Sequence, residues 1–268
     1  MTLLKSRTHE VNPNLDSDDD ELTEVEGAEV IRPALDVVLE PGSVAELRVL
    51  KTGNTKTVSG YFNDFDKLAE AGAEWSGQAP GVYITLNPVL PDLLARRFNR
   101  AKGWAENTTT DSQIVRRRWL PLDFDPVRPS GISSTGAEHE AALERAEECR
   151  VWLVGLGFSP DSLVLADSGN GSPLLVRLDL PNDDESTALV NRCLKAADLY
   201  LSDDTVKVDC GVGNAGRIWK VYGTLAAKGD NTADRPHRLA ALMEFPKRLK
   251  VSPHKLLERL AARAPRDV

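Results

Sequence analysis

The sequence predicts a mixed α/β (α+β) fold, and three observations carry that reading. Short segments of alternating apolar and polar residues recur along the chain, separated by segments of helical period. Gly, Asn, Asp and Pro gather at the junctions between them. From Arg118 to Tyr222 the segments run strand, helix, strand, strand, helix, strand, the order of a ferredoxin-like or RRM-like unit. A second α/β half precedes that unit.

Taken in order, residues 1–29 carry nine acids against Lys5 and Arg7 and no aromatic residue. So little apolar content does not offset the entropy of ordering, and a disordered acidic tail is expected. Residues 45–51 and 57–62 read as strands around a turn at Thr52, Gly53 and Asn54, residues 64–72 as a short helix, and residues 81–86 as a strand. Pro91 opens a predicted helix with Leu94 and Phe98 on its apolar side and Arg96, Arg97 and Arg100 on its polar side.

The alternation is cleanest from Arg118 to Asp125, with Leu120, Leu122 and Phe124 on one face and Asp123 and Asp125 on the other. Pro121 argues for an edge or a bulge there, because it lacks a ladder donor. Thr135 and Glu138 have capping-box spacing, Ala142, Ala146, Cys149 and Leu153 form the apolar stripe that follows, and Gly157 suits the stop. Strands are predicted over 162–166 and 174–180, joined by Asp167, Ser168, Gly169, Asn170 and Gly171. A helix over 184–201 turns Val190, Cys193, Leu194 and Ala197 inward, and strands over 206–208 and 217–222 follow. The last of these is expected to pair with the first strand of the unit. Residues 248–268 belong to a segment with seven bases from Lys247 onward and read as a basic helix or linker.

The charge of −8 is concentrated in the acidic tail; the remaining 32 acids and 31 bases nearly cancel, which neither demands nor excludes nucleic acid. No apolar run approaches the roughly 20 residues of a membrane-spanning helix, and no secretory leader is legible at the start. Cys149, Cys193 and Cys210 are too few and scattered for a disulfide framework or a Cys-based zinc site, so buried or inert thiols in a reducing cytoplasm are expected. There is no P-loop, nucleophile elbow, His-Glu-x-x-His or Cys-x-x-Cys, and the four histidines lack ligand spacing.

Asp123 and Asp125 are the sharpest chemical feature. Side chains at i and i+2 on a strand share a face about 6–7 Å apart, and two such carboxylates repel unless a cation stands near them. Hard oxygen ligands of this kind suit a divalent metal; the same residues also fit a strand that ends in a turn. Asp209 is a candidate third ligand for two-metal phosphoryl transfer, or a turn residue. The glycines after Ser168 permit either an anion-binding concavity of backbone N–H groups or an ordinary hairpin turn. Arg217 and Lys220 flank Ile218 and Trp219 and are candidate phosphate partners, or solvated strand charges.

Three segments together resemble the archaeo-eukaryotic-type primase superfamily, in the primase-polymerase (prim-pol) branch of plasmids and phages. The first runs from Trp119 to Asp125 and on to Pro129, the second from Asp167 to Arg177, and the third from Val208 and Asp209 through Arg217 and Lys220 to Thr224. Flanking segments around Asn87 and Pro88 and from Lys228 to Arg238 agree, so the likeness covers about residues 30–245. It implies a primase-polymerase catalytic domain over 30–247 with a ferredoxin-like catalytic half. It implies a template-dependent nucleotidyltransferase (DNA primase/DNA polymerase) of a mobile element. Asp123, Asp125 and Asp209 would ligate two Mg²⁺ or Mn²⁺ ions, Ser168, Gly169 and Asn170 would line the incoming nucleotide, and Arg217 and Lys220 would meet its phosphates. DNA template and primer, nucleoside triphosphates and a separate replicative helicase are the implied partners, with no membrane. Arg96, Arg97, Arg100 and Arg116 to Arg118 are expected along the DNA.

The second motif of that family usually ends in a histidine that reaches the triphosphate; here Pro173 stands in its place. That departure supports an alternative reading, a catalytically weak or inactive primase-like adaptor that binds nucleic acid. A nucleotide cyclase on a related sheet is a third class, but no Gly-Gly-Asp motif supports it.

Overall fold

The structure is a computed structural model and describes residues 24–50 and 56–265. The predicted turn at 52–54 and most of the acidic segment therefore lie outside the described residues. The acidic segment also ends earlier than the composition suggests. Helix α1 spans Glu24–Val38, so residues 24–29 are helical, anchored by Ile31, Leu35 and Val38 in the core immediately downstream.

The first half contains β1 (Ala45–Val49), β2 (Val58–Phe62), α2 (Phe65–Glu74) and β3 (Val82–Thr85). Asp64 caps α2, its carboxylate accepting from the N–H groups of Asp66 and Lys67. The segment opened by Pro91 is a 3-10 helix, Pro91–Arg96. Its inward residue is Leu93, while Leu94 is half-buried and Phe98 is 62% exposed, because a three-residue turn rotates the apolar side away from the α-helical spacing expected.

The second half contains β4 (Arg116–Pro126), α3 (Gly136–Gly155), β5 (Leu163–Asp167), β6 (Ser172–Pro181), α4 (Asp184–Leu201) and β7 (Val206–Val208). Thr135 and Glu138 form both bonds of the capping box at α3. The predicted inward stripes of α3 and α4 are all buried. The strands pair antiparallel in the order β5-β6-β4-β7, the ferredoxin-like arrangement. Helix α3 lies across β4, β5 and β6, and α4 across β4 and β7.

One pairing differs from expectation. The strand after Asp209, β8 (Ile218–Lys220), does not return beside β4; it joins β3 in the first sheet, whose order is β2-β1-β3-β8. The three-residue β7 takes the place beside β4 instead. A chain that crosses from one sheet to the other just after Asp209 ties the two halves together, and one continuous core runs through both.

Pro121 fits for a definable reason. The Asp123 carbonyl accepts from the Asp209 N–H, so Asp123, and Pro121 two residues earlier, turn their backbone groups away from β6. β7 reaches only Phe124, Asp125 and Pro126, so the donor Pro121 lacks faces an unladdered edge.

The remaining elements are the pair β9 (Leu225–Ala226) and β10 (Arg238–Leu239), then β11 (Ala241–Glu244) beside β5, and α5 (His254–Ala261). Leu257 and Leu260 of α5 are buried in the core and the helix packs on α4. The basic C-terminal segment is thus anchored by an apolar face. Cys149 and Cys193 are buried free thiols, whereas Cys210 is exposed rather than inert by burial. No helix among the described residues is long and apolar enough to cross a membrane.

Candidate active site

A cleft of about 290 Å³ opens between the two sheets. Asp123 and Asp125 enter it from β4, on the face opposite Leu120, Leu122 and Phe124, which are fully buried toward the helices. Asp209 enters from the end of β7, held there by its own N–H bond to the Asp123 carbonyl at 2.9 Å. Its Oδ1 accepts from the Gly211 N–H at 2.7 Å, which fixes the carboxylate's direction. The three aspartates therefore share one cleft.

Their mutual charge is poorly compensated. Burial, and next the charges of Asp125 and Asp209, push the Asp123 carboxyl well above the usual carboxylate range, against the opposing pull of Lys228 and Arg217. Asp125 has a loose contact with Arg128 at 3.7 Å. A set made only of carboxylate oxygens, with little positive charge held directly against it, fits a hard divalent cation such as Mg²⁺ or Mn²⁺. Among the described residues, however, no three acidic, histidine or cysteine side chains already stand as a closed metal cage.

Arg217 and Lys220 line the same cleft. Arg217 donates to the Gly211 carbonyl, and its Nε is buried without a partner among the described residues. Lys220 donates from Nζ to the Leu225 carbonyl at 2.7 Å, and burial, reinforced by Lys228, pushes its ammonium down to about 7.

The turn after β5 is a tied hairpin rather than an anion-binding concavity. The Gly169 N–H donates to Asp167 Oδ1 at 2.6 Å, the Gly171 N–H to Ser168 Oγ at 3.1 Å, and the Ser168 N–H to the Gly171 carbonyl at 3.0 Å. These donors are satisfied internally, so they are not aimed at a ligand. Ser168 and Asn170 border the cleft, with the Asn170 side-chain oxygen accepting from the Ser134 N–H at 2.8 Å. Gly169 is not among the cleft-lining residues; its φ of +86° and its approach to Ala226 and the Arg238 carbonyl require glycine. Gly171 is needed for proximity, since a Cβ there would lie 2.5 Å from the Phe124 carbonyl oxygen.

Pro173 sits directly opposite Asp123 in the β4–β6 register and lines the cleft. His139 of α3 instead stands against Asp167, Nε2 to Oδ1 at 2.9 Å, and so braces the turn from behind.

Reasoning from the sequence missed Tyr83 and Lys228 as cleft residues. Tyr83 follows the alternation of β3, but nothing local shows that its face meets the aspartates. Burial, with Asp123 and Asp125 next, raises its phenol. The run Arg116 to Arg118 does not form a free track for DNA. Arg116 pairs with Glu40 and Asp179, Arg117 is buried against the Gly213 carbonyl and Thr187, and Arg118 is buried near the Val38 carbonyl. Bases at the start of the central strand β4 are here consumed by partners within the fold, from both halves.

No protein-family profile matches the chain, and no curated protein matches it either. Solved structures that it is similar to are primases and polymerases. The AEP domain of the cyanophage S-2L primase-polymerase is 12% identical with a TM-score of 0.46, covering 88% of this chain and 97% of that one. The primase RepB' is 9% identical with a TM-score of 0.46, covering 88% of this chain and 62% of that one. The polymerase domain of Mycobacterium tuberculosis ligase D, solved with DNA, is 17% identical with a TM-score of 0.46, covering 91% and 93%. At such identities and scores no residue role passes from them to this chain, and the chemistry rests on the cleft itself.

Proposed function

We propose that the chain is a template-dependent nucleotidyltransferase, a DNA primase/polymerase of a mobile element. One observation carries the reading: three aspartates share a cleft with Arg217, Lys220 and Lys228. That pairs a metal-seeking acidic centre with cations placed for a polyphosphate.

In the reaction a primer or initiating 3′-hydroxyl attacks the α-phosphate of a nucleoside triphosphate, and pyrophosphate leaves. Asp123, Asp125 and Asp209 would hold two Mg²⁺ or Mn²⁺ ions, which when bound supply Lewis-acid charge at the attacking and leaving oxygens. Lys220, Lys228 and Arg217 would neutralise the triphosphate, and the orphaned Arg217 Nε gains an acceptor there. Ser168 and Asn170 border the space for the rest of the nucleotide. DNA is the template and primer, and a separate helicase would open it.

The second reading, a weak or inactive adaptor, is favoured by Pro173 facing Asp123 without a side-chain donor and by the tied hairpin donors. Primer extension by the full chain, in Mn²⁺ and then Mg²⁺, separates the two. Extension that disappears in Asp125→Asn supports the enzyme. DNA binding without extension in either metal supports the adaptor.

A further inference from the structure

The outer edge of the first sheet is covered by a strap, residues 97–105. The Tyr61 N–H donates to the Arg97 carbonyl at 3.2 Å and the Asn99 N–H to the Tyr61 carbonyl at 2.9 Å. Ser59 and Lys102 exchange both backbone bonds at 3.1 and 3.0 Å, and the Ala105 N–H reaches the Thr57 carbonyl at 3.0 Å. Closure depends on Gly60, where a Cβ would lie 2.2 Å from the Arg100 carbonyl oxygen. The Asn99 side-chain oxygen also accepts from the N–H groups of Asn63 and Asp64. Covering an open sheet edge explains this backbone. It does not explain the side chains.

Those side chains break two habits of a protein surface. Phe98 and Trp104 are 62% and 60% exposed. Trp104 moreover holds a left-handed φ of +58°, a conformation that costs a bulky residue free energy and persists where something else requires it. Interleaved with the rings are Arg96, Arg97, Arg100 and Lys102, with no acid between residues 93 and 105. Arg96 donates to the Tyr61 hydroxyl, and Arg97 is spent on the Ser59 carbonyl of β2 and the Lys102 carbonyl of the strap. Arg100 and Lys102 are exposed and form no ion pair among the described residues. Lys56 sits 5.1 Å from the Trp104 ring centroid.

Exposed aromatic faces alternating with unpaired cations on a rigid backbone match one class of ligand, an unpaired nucleic-acid strand. Every base offers a π-face, and every linkage offers a phosphate. In a duplex the base faces are already stacked on each other. We infer that the strap over β2 is a single-strand platform, with bases stacked on Phe98 and Trp104 and phosphates met by Arg100 and Lys102. β2 and β8 are opposite edges of the four-stranded sheet, roughly 15 Å apart at ordinary strand spacing. The identity of the strand as a template rests on the polymerase reading, whereas the binding itself does not.

The test is fluorescence anisotropy of the full chain with a labelled oligothymidylate about 15 nucleotides long, within the site sizes such platforms occupy. It is run in EDTA, against a duplex of equal length. Phe98→Ala with Trp104→Ala should weaken single-strand binding about a hundredfold, roughly tenfold per ring, with duplex binding changed by less than about threefold. Trp104→Tyr, which keeps a stacking face, should restore most of its tenfold and guards against misfolding. Arg100→Ala with Lys102→Ala should reduce the salt slope of log affinity by about 1.4, about 0.7 per lost phosphate contact. Single-strand affinity unchanged in the ring variant overturns the proposal. So does an equal loss for single strand and duplex, which would mark a charged patch for any polyanion or acidic partner. Because no metal is present, failed primer extension by the wild type would sink the polymerase reading and leave this one standing.

Discussion

Asp123→Asn is the most informative single change to the cleft, because it separates uncompensated charge from structural need. The Asp123 carboxyl is raised by burial and by its neighbours Asp125 and Asp209. A native carboxyl raised above its unfolded value, about 3.9, holds its proton more tightly than the unfolded chain does. The metal-free fold therefore has its full stability at low pH and loses some as pH climbs above about 4 toward the raised native value. Each pKa unit of displacement corresponds to about 1.4 kcal/mol. Asparagine has the same shape and no charge, and Asp123 makes no side-chain hydrogen bond among the described residues for it to lose. At pH near 8 in EDTA the variant should be more stable than wild type by about 2 kcal/mol, or about 4–8 °C in melting temperature for a chain of this size. At pH near 4 the two should converge. Mn²⁺ at a hundredfold over its dissociation constant should add about 2.7 kcal/mol to the wild type, and most of that gain should vanish in the variant. Thermal melts at two pH values, with EDTA or Mn²⁺, read all of this. A variant less stable than wild type at pH 8 in EDTA would show that the carboxylate is a structural acceptor. Equal stabilisation by Mn²⁺ would place the ion elsewhere.

Three further outcomes are expected. Gly171→Ala puts a Cβ 2.5 Å from the Phe124 carbonyl oxygen, so the hairpin should shift and stability fall by about 1–3 kcal/mol in urea melts. Lys220, pushed down to about 7 by burial, carries its charge below that pH and loses it above. Triphosphate affinity by calorimetry should weaken as pH rises through about 7, and Lys220→Met should be weaker than wild type below that pH, lack this step and converge with wild type above it. Pro173→His places an imidazole opposite Asp123 in the β4–β6 register. A charge-assisted bond worth roughly 1.5–3 kcal/mol should tighten nucleotide binding about ten- to a hundredfold and raise the extension rate.

What the sequence made legible was local. The capping box at Thr135 and Glu138 and the stripe from Ala142 to Leu153 lie within a few turns of one helix, where period and cap chemistry suffice. Asp123 and Asp125 were legible because alternation fixes a side chain's face whatever lies beyond the strand. Apart from the 3-10 turn after Pro91, the misplacements involve partners distant in the chain. β8 joins β3 rather than β4 because strand pairing is decided by which edge the whole fold leaves open. Arg116 to Arg118 resemble a polyanion track until Glu40, Asp179 and the Gly213 carbonyl arrive from elsewhere to consume them.

The same distinction bears on the cleft's chemistry. The residues that set its charge come from β4, from the end of β7, from β8 and from the segment after β9, and a single crossing of the chain after Asp209 brings them together. Had that strand returned beside β4, Ile218 to Lys220 would have extended the second sheet and the acidic centre would have no cationic wall opposite. Placing β8 in the first sheet puts Lys220 beside Tyr83 in the β3 register and leaves Arg217 at the cleft with an unpartnered Nε. The cations are thus held near the aspartates by the fold's topology without being neutralised by them, an arrangement that leaves both signs of charge available to a metal-bound polyphosphate.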